Sequence, residues 1–188
     1  NAPVVGMAAT KDGHGYWLVA SDGGVFAFGD ADFSGSAAGT SLNAPVVGIA
    51  ADPDGAGYWL AAADGGVFAY DASYAGSAAS MRLNQPVTAI AADTDGGYWL
   101  AAADGGVFAY DAAFAGSAEA LAPNGPVVAI LAADDGRGYR LAGSDGGVFA
   151  FATDFAGSAP GAGQVVGIAG FGNGTGTVAA SGIIRAAC

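Results

Sequence analysis

The chain has 188 residues, 53% of them hydrophobic, enough for one domain with a buried core and too apolar for disorder despite its 34 glycines. Its 17 acidic residues outweigh 5 basic ones, and a net charge of −12 repels phosphate backbones and anionic lipid, which argues against a nucleic-acid partner. No apolar run reaches the ~18 residues that a membrane-spanning helix needs, so membrane insertion is not expected.

The glycines follow no three-residue period, which rules out a collagen pattern. The chain opens directly on repeat material at Asn1 and reads as a mature chain or an excised piece. Its one cysteine, Cys188, has no second sulfur for an internal disulfide or a metal site. It reads as an incidental terminal residue, with a link to another chain or a trimmed continuation as the alternatives.

In chain order, the first apolar run is "VVGMAA", followed by a turn at "KDGHG". A second run, "YWLVA", leads into an Asp-Gly-Gly turn at Asp22, and a third, "VFAF", follows it. These runs have strand length and aromatic content. Asp can bond its own backbone and Gly tolerates positive φ, so Asp-Gly-Gly reads as a tight hairpin. A fourth, weaker strand is expected around "DFSGS", anchored by Phe33, and a longer connection closes the unit. Alanine would favour helix by propensity, but no apolar stretch between glycines lasts several helical turns.

The unit then recurs. It starts at Pro3, Pro45, Pro86 and Pro126, at spacings of 42, 41 and 40 residues, with Tyr74, Phe114 and Phe155 standing where Phe33 stood. A fifth start at Gln164 matches strand one in "VVGIAG", strand two in "TVAAS" and a worn strand three in "GIIRAA", with nothing for strand four.

Neighbouring residues on a strand point to opposite faces, so the adjacent Tyr16 and Trp17 put bulk on both sides of one sheet. A ring of small sheets gives each a neighbour on both faces, and about 41 residues is a usual period for propeller blades. The expectation is all-β: a single β-propeller domain over residues 1–188, with repeats 3–44, 45–85, 86–125, 126–163 and a partial 164–188. It has five blades, the last missing its outer strand. Four-bladed closure would leave Val165, Val166 and Ile168 needing cover, and closure across several chains is the third option.

No catalytic pattern stands out, and the expectation is a non-enzyme without cofactor. The one histidine, His14, has no serine or cysteine pattern around it and reads as a solvent-facing turn residue. Almost every Asp sits beside Gly in a turn, and the single glutamate, Glu119, falls between repeats, which does not suit a paired-carboxylate mechanism. "DPDG" and "DTDG" place carboxylates two apart, a minor option for structural calcium without the spacing of a helix-loop-helix calcium site.

The candidate binding residues are the recurring aromatics Trp17, Trp59 and Trp99 with Tyr16, Tyr58, Tyr98 and Tyr139, since flat apolar rings with a polar edge can carry sugars. Core filling is the competing reading for these rings. Arg140 stands where the fourth Trp is due, and either pairs with a turn aspartate or marks a distinct pocket.

The stretch "PVVGMAATKDGHGYWLVASDGGVFAFGDADFSGS" at 3–36 resembles the repeats of secreted and cell-surface proteins of actinobacteria, which often accompany cell-wall hydrolases or other extracellular enzymes. The resemblance covers nearly the whole chain and is weakest after Gly161. It implies a propeller-like accessory domain, secreted or at the cell surface. "DGGVFAY" is also similar to the turn of quinoprotein and tectonin-type propellers, with no quinone-binding residues to carry over. The expected function is a non-catalytic extracellular binding or display module for glycan or cell-wall material. The alternative is a structural spacer or self-assembling repeat domain. The partners to match are a glycan or cell-wall polymer, a covalently linked extracellular enzyme domain, or further copies of the chain.

Overall fold

The computed structural model describes residues 2–54, 57–155, 157–161, 163–171, 174–179 and 184–187, with side chains described as far as residue 170. Cys188, and residues 180–183 of the expected fifth-unit strands, lie outside the described residues.

The described residues form five antiparallel sheets of three strands, each built from consecutive segments. Sheet 1 holds β1 (Val4–Ala9), β2 (Tyr16–Ala20) and β3 (Val25–Phe28). Sheet 2 holds β4 (Val46–Ala51), β5 (Tyr58–Ala62) and β6 (Val67–Tyr70). Sheet 3 holds β7 (Val87–Ala92), β8 (Tyr98–Ala102) and β9 (Val107–Tyr110). Sheet 4 holds β10 (Val127–Ala132), β11 (Tyr139–Gly143) and β12 (Val148–Phe151). Sheet 5 holds β13 (Val165–Phe171), β14 (Gly174–Ala179) and β15 (Ile184–Ala187). Among the described residues the one helical segment is a short 3-10 turn at Glu119–Leu121.

The turn chemistry read from the sequence is present. Asp22, Asp64, Asp104 and Asp145 each accept, through Oδ1, the amide of the glycine two residues on, at 3.0 Å. Each hairpin is also tied to the end of its own repeat: the amides of Ala37, Ala78, Ala118 and Ala159 donate to Gly23, Gly65, Gly105 and Gly146. At Gly65, where φ is +83°, a Cβ would lie 2.6 Å from that of Ala78, so the contact requires glycine.

Among the described residues the fourth strand is not formed. Among them, residues 32–37 and their equivalents have no ladder partner. Their backbone groups are engaged by side chains instead, as described below, and every sheet, not just the last, stops at three strands.

Sheets pack in chain order, β1 against β4, β4 against β7, β7 against β10 and β10 against β13. The first strand of every sheet carries a register shift at the same place, around Val5, Val47, Thr88, Val128 and Val166. Such bulges sharpen local twist. Val5, Val47, Thr88 and Val128 line one apolar cavity of about 370 Å³, so residues from repeats one to four meet around a common axis. A straight stack would separate the first repeat from the fourth; this arc is propeller-like.

Both faces of the inner sheets are buried. All five residues of β5 and of β8 are buried, as the adjacent Tyr and Trp implied. Sheet 1 differs on one side. The face turned away from sheet 2 carries Met7, Tyr16, Phe26 and Phe28, all exposed.

In sheet 5 the register moves the expected alignment. Ala169 stands opposite Gly176 and Gly170 opposite Thr175, where sheet 1 pairs Ala8 with Trp17 and Ala9 with Tyr16. The Tyr–Trp pair is thus replaced by Thr175–Gly176, and Thr177 takes the position of Leu18 rather than starting the strand.

Candidate functional site

The recurring Tyr–Trp pair sits between sheets. Trp17, Trp59 and Trp99 point forward, each ring meeting the tyrosine of the next repeat, Tyr58, Tyr98 and Tyr139, at centroid separations of 5.2–5.4 Å and tilted geometry. Such pairs are favourable beyond the area they bury.

Their polar atoms are used internally. The indole N–H groups of Trp17, Trp59 and Trp99 donate to the carbonyls of Asp32, Ser73 and Ala113 in their own repeats, at 2.7–2.9 Å. The tyrosines reach backward. Tyr58 Oη donates to the Gly35 carbonyl and Tyr98 Oη to the Gly76 carbonyl, both at 2.6 Å, and Tyr139 makes the same bond to Gly116. Amides of that segment return bonds to each hydroxyl, from Ser34, Gly76 and Gly116. Burial pushes the three phenols above their ordinary range, so they stay neutral donors.

The segment expected to be strand four is therefore held by the Trp of its own repeat and the Tyr of the next. Its glycine has a steric role as well. At Gly76, φ is +138° and a Cβ would lie 2.7 Å from the Tyr110 ring. Ser36, Ser77 and Ser117 are followed by alanines buried against the hairpin turn.

Of the eight candidate binding residues, six are core. Trp17 is nearly buried, and Trp59, Trp99, Tyr58, Tyr98 and Tyr139 are fully so. Tyr16 is 39% exposed and stacks on Phe28 of its own sheet, at 5.1 Å and 18°. Arg140 is half-buried and, among the described residues, pairs with no turn carboxylate. Its Nε–H donates to the Asp154 carbonyl at 3.0 Å, the same bond that the indoles make in the other repeats. The guanidinium thus stands in for the indole N–H where the next sheet offers Thr175 rather than a ring.

The aromatic rings that face solvent are others. Phe33, Tyr74, Phe114 and Phe155 occupy one equivalent position in four repeats and are each 60–62% exposed. They precede the Gly-Ser-Ala of the tethered segment, so the Trp and Tyr bonds hold the backbone that presents the first three, and the Arg140 bond to the Asp154 carbonyl does so for Phe155. Near Tyr74, the hydroxyl of Tyr110 is buried with no hydrogen-bond partner, and burial holds that phenol neutral. In the sequence these four residues read as strand anchors. The signal against that reading was the glycine two residues on, which interrupts a ladder.

One further cluster joins titratable groups. His14 Nδ1 lies 3.0 Å from Asp12 Oδ2, with Asp30 close by, and all three are exposed. The Asp12 carboxylate raises the His14 pKa above its ordinary value, first through their hydrogen bond, and the same bond holds Asp12 well below the usual carboxylate range. Asp52 and Asp93, of the two Asp-x-Asp-Gly turns, are buried. Asp52 Oδ1 accepts the Asp54 amide at 3.0 Å. Glu119 lines a shallow cavity of about 430 Å³ with Gln85, Asp104 and Pro123–Pro126, away from the candidate aromatics.

Fold and site together define an all-β repeat domain whose sheets are latched by aromatic pairs and whose rim carries one exposed ring per full repeat. No protein-family model matches the chain, and no curated protein does.

Proposed function

We propose that this domain is a non-catalytic binding module of the cell exterior, five blades of a propeller-like arrangement, that holds glycan or cell-wall material on its rim. The observation that carries this reading is the row formed by Phe33, Tyr74, Phe114 and Phe155, four rings exposed to the same degree at the same place in the repeat. Exposed rings normally cost hydration, and four equal ones held on tethered backbone suit a flat ligand face such as a pyranose. Several weak equivalent contacts along one polymer add through effective concentration. The excess of acidic residues keeps the surface away from other polyanions, which fits a neutral polysaccharide. The likeness of the repeats to those of actinobacterial surface proteins supports the same location, and a covalently attached extracellular enzyme domain would be the natural beneficiary of such targeting.

The test is retention on purified cell-wall polysaccharide and on a glycan array. The intact chain is expected to be retained, and replacing all four rim rings by alanine to abolish retention without changing the far-ultraviolet circular dichroism. A chain that is not retained, or a quadruple variant retained equally, overturns the reading.

A further inference from the structure

Three repeat-to-repeat interfaces have one composition. The forward face of a repeat supplies its Trp, the small residues beside it and the tethered segment. The backward face of the next supplies Ile, Tyr, Leu and two aromatics. Between sheets 1 and 2, for example, Trp17 and Val19 meet Ile49, Tyr58, Leu60 and Tyr70. The backward face of sheet 1 has the same residue types at the same positions. Met7 stands for Ile49, Tyr16 for Tyr58, and Phe28 for Tyr70. Here they are open: Met7 is 66% exposed, whereas Ile49, Ile90 and Ile130 are at 7–8%.

We propose that this face is a docking surface for the forward face of another unit of the same repeat, one carrying a Trp and a Phe/Tyr-x-Gly-Ser segment. The established interfaces specify the fit. Tyr16 Oη donates to the glycine carbonyl of the incoming segment as Tyr98 does to Gly76. The incoming indole packs on Tyr16, and Met7 enters the slot held elsewhere by isoleucine. The residues named on this face carry no charge, so nothing electrostatic opposes the contact. Sheet 5 of the same chain does not fit the role, because Gly176 stands at its Trp position. None of the four rim rings belongs to this face, and the oxidation readout does not depend on glycan retention, so this inference and the glycan reading fail independently.

The test reads methionine oxidation, since thioether oxidation follows access to oxidant. Met7 reports on the docking face, and Met81, 54% exposed, is the internal reference. Two extended chains are made by placing a copy of residues 45–83, or of residues 86–123, directly ahead of Asn1, which keeps the Asn-x-Pro junction between units. In the unmodified chain Met7 is expected to oxidise as fast as Met81. In both extended chains Met7 slows roughly eightfold, in proportion to the fall from 66% exposure to the 8% of Ile130. Changing the Trp of the inserted copy to Gln restores the fast rate. Fast Met7 oxidation in both extended chains overturns the proposal. So does a protected Met7 in the unmodified chain: a dimer by light scattering assigns the face to a second copy, and a monomer assigns it to sheet 5.

Discussion

Sheets 1 and 3 are written in nearly the same words, "YWLVA" and "VFAF" against "YWLAA" and "VFAY", yet they sit differently in the molecule. Trp17 and Trp99 are alike, nearly or wholly buried, because each is covered by the repeat that follows. Tyr16 and Tyr98 are not alike. Tyr98 is sealed under repeat 2 and bonded to Gly76, whereas Tyr16 is 39% exposed. Identical residues thus acquire their burial from the neighbouring units, the tryptophan from the one that follows and the tyrosine from the one before, and not from their own sheet. Each repeat is half of two interfaces, as expected of a chain whose units cannot bury their faces alone.

That difference can be broken from either side. The largest effect is expected at the indoles: Trp99→Ala removes a fully buried ring and its bond to Ala113, and should lower unfolding free energy by roughly 3–5 kcal/mol in urea titration. Next comes Gly76→Ala, which drives a Cβ into the Tyr110 ring at a left-handed φ. A loss of about 1–3 kcal/mol is expected, while the same change at Gly39, where a Cβ meets open space, costs only the backbone strain. Arg140→Ala removes the bond to the Asp154 carbonyl on a half-buried side chain, and should cost about 0.5–1 kcal/mol, well below Trp99→Ala.

The smallest effect concerns pH. The His14 pKa is raised by Asp12, so its contribution to stability is fully present below the ordinary histidine pKa. It is lost as pH rises through the higher folded value. Both groups are exposed, so a shift in the His14 proton resonances is the measurable consequence. Asp12→Asn should bring the His14 midpoint back down.

Much of this architecture was legible beforehand, for a physical reason. Strand period and turn chemistry are local, so the Asp-Gly-Gly hairpins and the three strands of each unit follow from Asp22 through Asp145 and the runs between them. The two-sided bulk at Tyr58–Trp59 announced sheets packed on both faces. What was not legible was non-local. The expected fourth strand fails because its carbonyls and amides are claimed by a Trp 14 or 15 residues before and a Tyr 22–24 residues after. For the same reason the conspicuous rings proved to be the buried latch. The rim rings, Phe33 and its equivalents, read as anchors of a fourth strand. Arg140 could be seen as a break in the pattern, but that its Nε–H would replace an indole N–H depends on a geometry that spacing alone does not contain.

The central claim is that each tyrosine latches its sheet to the repeat before it. The most direct measurement compares Tyr98→Phe with Tyr16→Phe by equilibrium unfolding under identical conditions. Losing the Tyr98 hydroxyl leaves the half-buried Gly76 carbonyl without its donor, and should cost about 1–2 kcal/mol, whereas the same deletion on the open face of sheet 1 should cost almost nothing. Equal losses at the two positions would contradict the account.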